Sequence, residues 1–383
     1  MNKKQIVLAL GLVTCVVAPV SGYRLNNRWS NTASGSTGSA GTSAVLTWGF
    51  ANDGSNINGL GSSGLISWLD TVYGPGPGGA DLTQRPWFRL FDESFGRWGE
   101  VVGVEYIYEP NDDSVTVGSA PGVLGVRADM RIAGAFIDGP SNTLAFNNFP
   151  NNGDMVIDTG DSGFYSVAVQ DFRRMRNVLM HEHGHGGGLN HVESVTARFL
   201  MEPTINATFD GPQLDDIRGM QAHYGDFYEK SNGGAGNNTA ANATSLGLIP
   251  VGQSISLGRD GGTTLIQPTQ TDFLSINVAS DVDYFSFTVD GPARLDAVLT
   301  PQGTTYREGA QGGAQADLNS AAVSDLSLEI ISSDGVSQLA TANLTGLGEV
   351  ESLAGVNLPA AGEYFARVTG STNFTQLYQI DLA

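Results

Sequence analysis

The chain has 383 residues, with 19 Lys and Arg against 39 Asp and Glu, a formal charge of −20, and a single cysteine. So acidic a field repels phosphate, which argues against nucleic acid and anionic membranes as partners and suits an extracellular, cation-binding protein. With 40% hydrophobic residues, 15% charged residues and 51 Gly, a glycine share roughly double the usual one, the composition is that of a loop- and strand-rich globular protein, neither coiled coil nor disordered chain; at about 100–200 residues per domain, the length fits two domains.

Residues 1–22 pattern as a secretory signal peptide: Lys3 and Lys4 open it, an apolar run follows from Ile6 to Val20, and Val20 and Gly22 are small enough for cleavage. The run is short for a membrane span, so a secreted, extracellular protein with no stable membrane insertion after leader removal is expected; an uncleaved anchor is the alternative. Cys15 lies inside the leader. The mature chain then has no disulfide, and bound metal ions become the natural external staples.

Down the chain, Ala44–Phe50 reads as a strand and Gly64–Val72 as a short helix. Thr83 reads as the N-cap of a helix with Pro86 in its first turn, in which Trp87, Phe88, Phe91, Phe95 and Trp98 form an apolar face for core packing. Strands follow at Val104–Tyr108 and Met130–Ile137, a helix from Ser166 to Gly186, and a last helix at Gln213–Tyr224 ended by Gly225. Beyond Lys230 the texture changes to short alternating strands without a persuasive helix, which places a domain boundary near Phe227–Asn232. No internal repeat is evident.

The chemistry is concentrated in residues 178–203, VLMHEHGHGGGLNHVESVTARFLMEP. His181 and His185 are four apart, so on a helix they share a face and can share one ion. Glu182 sits beside them, where its carboxylate can take a proton from a water activated by that ion. Gly188 permits the positive φ of a sharp helix exit, Gly186 and Gly187 loosen the same turn, and His191 then closes a three-nitrogen site with an open fourth position. Three of only five histidines fall on these positions. A structural or regulatory zinc site would leave Glu182 without a task. His183 reads as a supporting or solvent-exposed residue, and His223 as a packing or surface residue of the last helix.

The motif H-E-x-x-H-x-x-G-x-x-H, followed by Met201 in Phe199-Leu200-Met201-Glu202-Pro203, resembles the metzincin metalloproteases, and Met-x-Pro resembles their matrixin branch. The resemblance covers roughly residues 40–226. It implies one catalytic Zn²⁺ on His181, His185 and His191, Glu182 as the catalytic base, Met201 as an apolar floor, and Val192 and Pro203 on one wall of the substrate pocket. Val192 departs from the usual serine. Phe146 and Val156 stand where animal matrixins have histidines for a second zinc, so the resemblance implies no second zinc here. Asp138, Asp158 and Asp161 match the family's calcium positions, with turn-capping aspartates as the competing reading. Without a cysteine after residue 15, no cysteine-switch prodomain is expected.

The C-terminal region resembles the bacterial prepeptidase C-terminal domain, on Asn242-Ala243-Thr244, Asp281-Val282-Asp283-Tyr284-Phe285-Ser286-Phe287, Leu326–Ile330 and Ala361–Val368. Alternation puts Phe285, Phe287 and Val289 on one face of a sandwich strand, opposite Tyr284, Ser286 and Thr288. Gln302–Leu318 reads as a Gly- and Gln-rich insertion loop without chemistry.

The expected architecture is α+β: a leader (1–22), a metzincin-type domain with a twisted mixed sheet and active-site helix (23–228), and an all-β sandwich (229–383). The expected activity is zinc-dependent cleavage of extracellular protein or peptide substrates, with calcium as a possible structural ion and the oligomeric state open. The alternative is an extracellular binding or adhesion protein carrying an inactive protease fold.

Overall fold

The computed structural model describes residues 22–383 apart from Ser141 and Thr345, so Cys15 and all of the leader except Gly22 lie outside the described residues. The first half is built on a five-stranded sheet. Its strands are β1 (Ala44–Phe50), β2 (Val104–Tyr108), β3 (Met130–Ala135), β4 (Ala145–Asn147) and β5 (Met155–Asp158), in the order β2-β1-β3-β5-β4. All neighbours are parallel except β4, which runs antiparallel to β5 at the edge. Helix α1 (Leu65–Tyr73) packs on β3, and α2 (Phe88–Gly99) and α3 (Arg173–Gly187) pack on each other, followed by α4 (Leu214–Tyr224).

The aromatic stripe of α2 is core, as its spacing implies. Trp87, Phe91, Phe95 and Trp98 are buried, and Trp48 of β1 stacks on Phe95 at 4.8 Å. Two helix starts differ from expectation. Asp81, not Thr83, caps a single 3₁₀ turn by accepting the Thr83 N–H; Pro86 then separates that turn from α2. The active-site helix begins at Arg173 and not near Ser166, because Gln170, Asp171 and Phe172 all take positive φ (54°, 58° and 55°), which no helix continues through.

From Thr244 onward every regular element is a strand. Two sheets face each other. One has the order β7-β10-β17-β14-β15, from β7 (Thr244–Leu248), β10 (Val282–Val289), β14 (Leu326–Ile331), β15 (Gln338–Ala342) and β17 (Gly362–Gly370). The other has the order β8-β18-β11-β16, with β9 also on β18, from β8 (Ile255–Leu257), β9 (Leu274–Ile276), β11 (Ala293–Gln302), β16 (Glu351–Leu358) and β18 (Gln376–Leu382). Phe285, Phe287 and Val289 enter the core between them, as the alternation requires.

The region expected to be an insertion loop is instead a hairpin, β12 (Thr305–Ala310) and β13 (Ala316–Asn319), and it leaves the sandwich altogether. It pairs antiparallel with β6 (Val192–Ser194), the strand that follows the third histidine, in the register Val192 to Ala310, Glu193 to Gly309 and Ser194 to Glu308. One three-stranded sheet therefore spans both halves.

The junction is buried and polar as well as apolar. Ile266, Phe273 and Leu377 join the core of the first half, and Phe199 packs on Tyr306 at 5.1 Å. Arg218, fully buried in α4, donates to the Thr375 carbonyl (3.0 Å), to the Tyr306 hydroxyl (2.8 Å) and to Asp215 (3.2 Å). Removing one partner of such a group strands a buried charge. Arg218→Met is expected to lower the stability of the whole chain by about 3–5 kcal/mol in denaturant unfolding; an unchanged midpoint would show that the junction carries no stability.

Candidate active site

Helix α3 presents His181 and His185 on one face, and the chain turns back after Gly188 to bring His191 against them. The His191 Nε2 lies 3.1 Å from the Nε2 of His181 and 3.0 Å from that of His185. Each ring is oriented through its other nitrogen: His181 Nδ1 meets the Leu200 carbonyl at 2.6 Å, His185 Nδ1 the Leu189 carbonyl at 2.7 Å, and His191 Nδ1 the Gln311 Oε1 at 2.9 Å. An oxygen acceptor at Nδ1 places the proton there, so all three Nε2 atoms turn lone pairs toward one point. Burial, with repulsion from the neighbouring rings, lowers His181 to about 3; burial first also lowers His185, to about 4. Neutral imidazoles whose lone pairs converge repel one another until a cation sits among them, and a nitrogen-only set suits a borderline-soft divalent ion.

The glycines of the HGHGGG run have specific neighbours. A Cβ at Gly184 would lie 2.3 Å from the Met201 Sδ, one at Gly186 2.7 Å from the Asn147 amide, and one at Gly187 2.4 Å from the Met220 methyl. Gly186 and Gly187 thus serve close packing within a helix that continues through them, and the exit itself belongs to Gly188, at φ 109°. Met201 is buried beneath the helix, as a floor to the site. Its turn is held by Asp216, which accepts the Leu200 and Met201 N–H groups at 2.7 and 3.0 Å.

Glu182 shares a cleft of about 1240 Å³ with the three histidines, and burial pushes its carboxyl up to about 8. The cleft also takes in the edge strand β4, the wall residue Pro203, and Ala310 and Gln311 of the sandwich hairpin. Val192 does not line it; this residue is buried, and its N–H is donated to the Met201 carbonyl. His183 is buried too, not solvent-exposed: it contacts the Tyr106 hydroxyl at 2.5 Å and packs on Phe95. His223 is a packing residue that donates to the Gly188 carbonyl at 3.2 Å.

Asp138, Asp158 and Asp161 do not assemble into a metal-type group among the described residues. Asp158 accepts the N–H groups of Ile137, Asp138, Gly139 and Gly160, and Asp138 holds Thr143, so the turn-capping reading describes both. The group that does assemble, besides the histidines, is Glu229, Asp281 and Asp283, all buried. Burial pushes all three carboxyls above their usual range, and repulsion from Asp281 and Asp226 adds to it at Glu229 and Asp283. The signal for it was in the sequence: Asp283 shares the inward face of β10 with Phe285 and Phe287, an odd place for an acid.

Two further contributors were not legible. The segment 24–29, without regular structure, straps the end of α3: Trp29 Nε1 donates to the Gly186 carbonyl (2.8 Å) and Asn26 N–H to that of Gly188 (2.7 Å). The other is Gln311. Because a Cβ at Gly188 would strike the Asn27 carbonyl at 2.5 Å in a backbone conformation that L residues avoid, Gly188→Ala is expected to cost about 1–3 kcal/mol. Thermal unfolding checks this, and a wild-type midpoint would show that the exit turn is not strained.

Residues 78–225 match the family model of the matrixin peptidases. No curated protein matches the chain. Among solved structures, the chain is similar to the prepeptidase C-terminal domain of collagenase from Bacillus anthracis, at 11% identity over 37% of this chain and 96% of that one, with a TM-score of 0.22. It is similar also to PliG of Aeromonas hydrophila, a periplasmic inhibitor of g-type lysozyme, at 12% identity over 37% and 97%, with a TM-score of 0.19. From the family match over residues 78–225 and the converging histidines within it, this chain carries a matrixin-like domain with a three-histidine group of metal-binding type.

Proposed function

We propose that this protein is a secreted zinc endopeptidase acting on extracellular proteins or peptides, with its domain boundary at residues 228–229. The observation that carries the proposal is the set of three Nδ1-anchored imidazoles whose Nε2 lone pairs meet beside Glu182 in an open cleft. His181, His185 and His191 would hold the zinc; when bound, it supplies Lewis acidity that polarises the scissile carbonyl and makes water a better nucleophile. Secretion rests on the leader pattern of residues 1–22.

The chain's own residues do the remaining work. Glu182 takes a proton from the attacking water as the C–O bond forms and delivers it to the amine nitrogen as the C–N bond breaks. Strand β4 ends its sheet with a free edge along the cleft, so an extended peptide can add to it through main-chain hydrogen bonds. Leu144, Phe164, Val178 and Ile205 offer an apolar recess for one substrate side chain. No described helix is long and apolar enough to cross a membrane.

Glu182→Gln leaves the three imidazoles in place. It is expected to bind zinc at one ion per chain while losing about 10²–10⁴-fold in cleavage of an unstructured protein such as casein. Retained cleavage by that variant would overturn the assigned role. Metal removal with a chelator is expected to abolish wild-type cleavage, and added Zn²⁺ to restore it.

A further inference from the structure

We infer that the hairpin β12–β13 is a working part of the active site, and that Gln311 at its tip is a positioning residue for the third metal ligand. The inference rests on the zinc reading above and extends it to a residue more than a hundred positions downstream, in the other half of the chain.

His181 and His185 are oriented by backbone carbonyls close to them in the fold of the first half. His191 is oriented by a side chain that the sandwich sends across, with Gln311 Oε1 at 2.9 Å from its Nδ1. An amide oxygen at Nδ1 keeps the proton on that nitrogen, turns the ring, and enriches Nε2 as a donor to a cation. The tip is held on several sides. Beyond the β6–β12 ladder, the Gly312 N–H donates to Glu193 Oε2 (3.1 Å) and Gln315 Nε2 to the Glu193 carbonyl (3.1 Å). At the base, the Tyr306 hydroxyl donates to Asp215 (2.5 Å). Glu202 secures the partner strand by accepting the Ser194 N–H (2.9 Å) and hydroxyl (2.5 Å). Gln311 is thus presented by a docked element and not by a free loop, and with Ala310 it forms one end of the cleft.

The test uses the full-length chain. The metal-free protein competes for Zn²⁺ against a chromophoric chelator, without substrate, and thermal unfolding of the same samples checks the fold. Gln311→Ala is expected to weaken zinc binding about 10–100-fold while the metal-free protein unfolds at the wild-type temperature. Gln311→Glu, which keeps an oxygen acceptor at Nδ1, is expected to restore wild-type affinity or better. Asp317→Ala, on the exposed side of the hairpin, is the control and leaves zinc affinity unchanged. Wild-type zinc affinity in Gln311→Ala overturns the inference but leaves the zinc reading standing. Failure of the wild-type protein to bind zinc overturns both.

Discussion

Everything in the site depends on where three protons sit. With Leu200, Leu189 and Gln311 oxygens at the Nδ1 atoms, the protons of His181, His185 and His191 are on the outer side of each ring, and the inner nitrogens carry only lone pairs. At separations of 3.0 and 3.1 Å those lone pairs have no donor between them, and burial makes charging the His181 and His185 rings costly. The arrangement is electrostatically incomplete by itself, and that incompleteness is a stored affinity for a divalent cation.

Holding the rings there explains much of the local sequence. Gly184 lets the Met201 thioether pack against the helix, Gly187 admits Met220 from α4, and Gly188 bends the chain back in a conformation closed to other residues. Asp216 then fixes the peptide that carries the Leu200 carbonyl by accepting the Met201 N–H, so the acceptor for His181 is itself positioned from α4. The helix that closes the first half and the turn beneath the ligands are one mechanical unit.

The converging histidines and the strand alternation of the sandwich were legible because each is a local pattern: a spacing of four on a helix, a glycine at an exit, a period of two on a strand. The misplaced features depend on distant partners. The start of α3 is set by three residues in positive φ that no composition signals, and the aspartates at 138 and 158 look like ligands because capping a turn and binding calcium use the same atoms. Gln311 was invisible for the same reason: a glutamine in a Gly-rich stretch acquires a role only when β12 is laid beside β6.

Tyr23 and Thr375 meet through the Tyr23 hydroxyl at 3.2 and 3.1 Å across a separation of 352 residues. Closing so long a loop is among the last and slowest events available to a folding chain. The strap of residues 24–29, which follows Tyr23 directly, also closes the end of the histidine-bearing helix α3. The histidine site is therefore tied, through Tyr23 and the strap that follows it, to a residue that enters the fold from the far end of the chain.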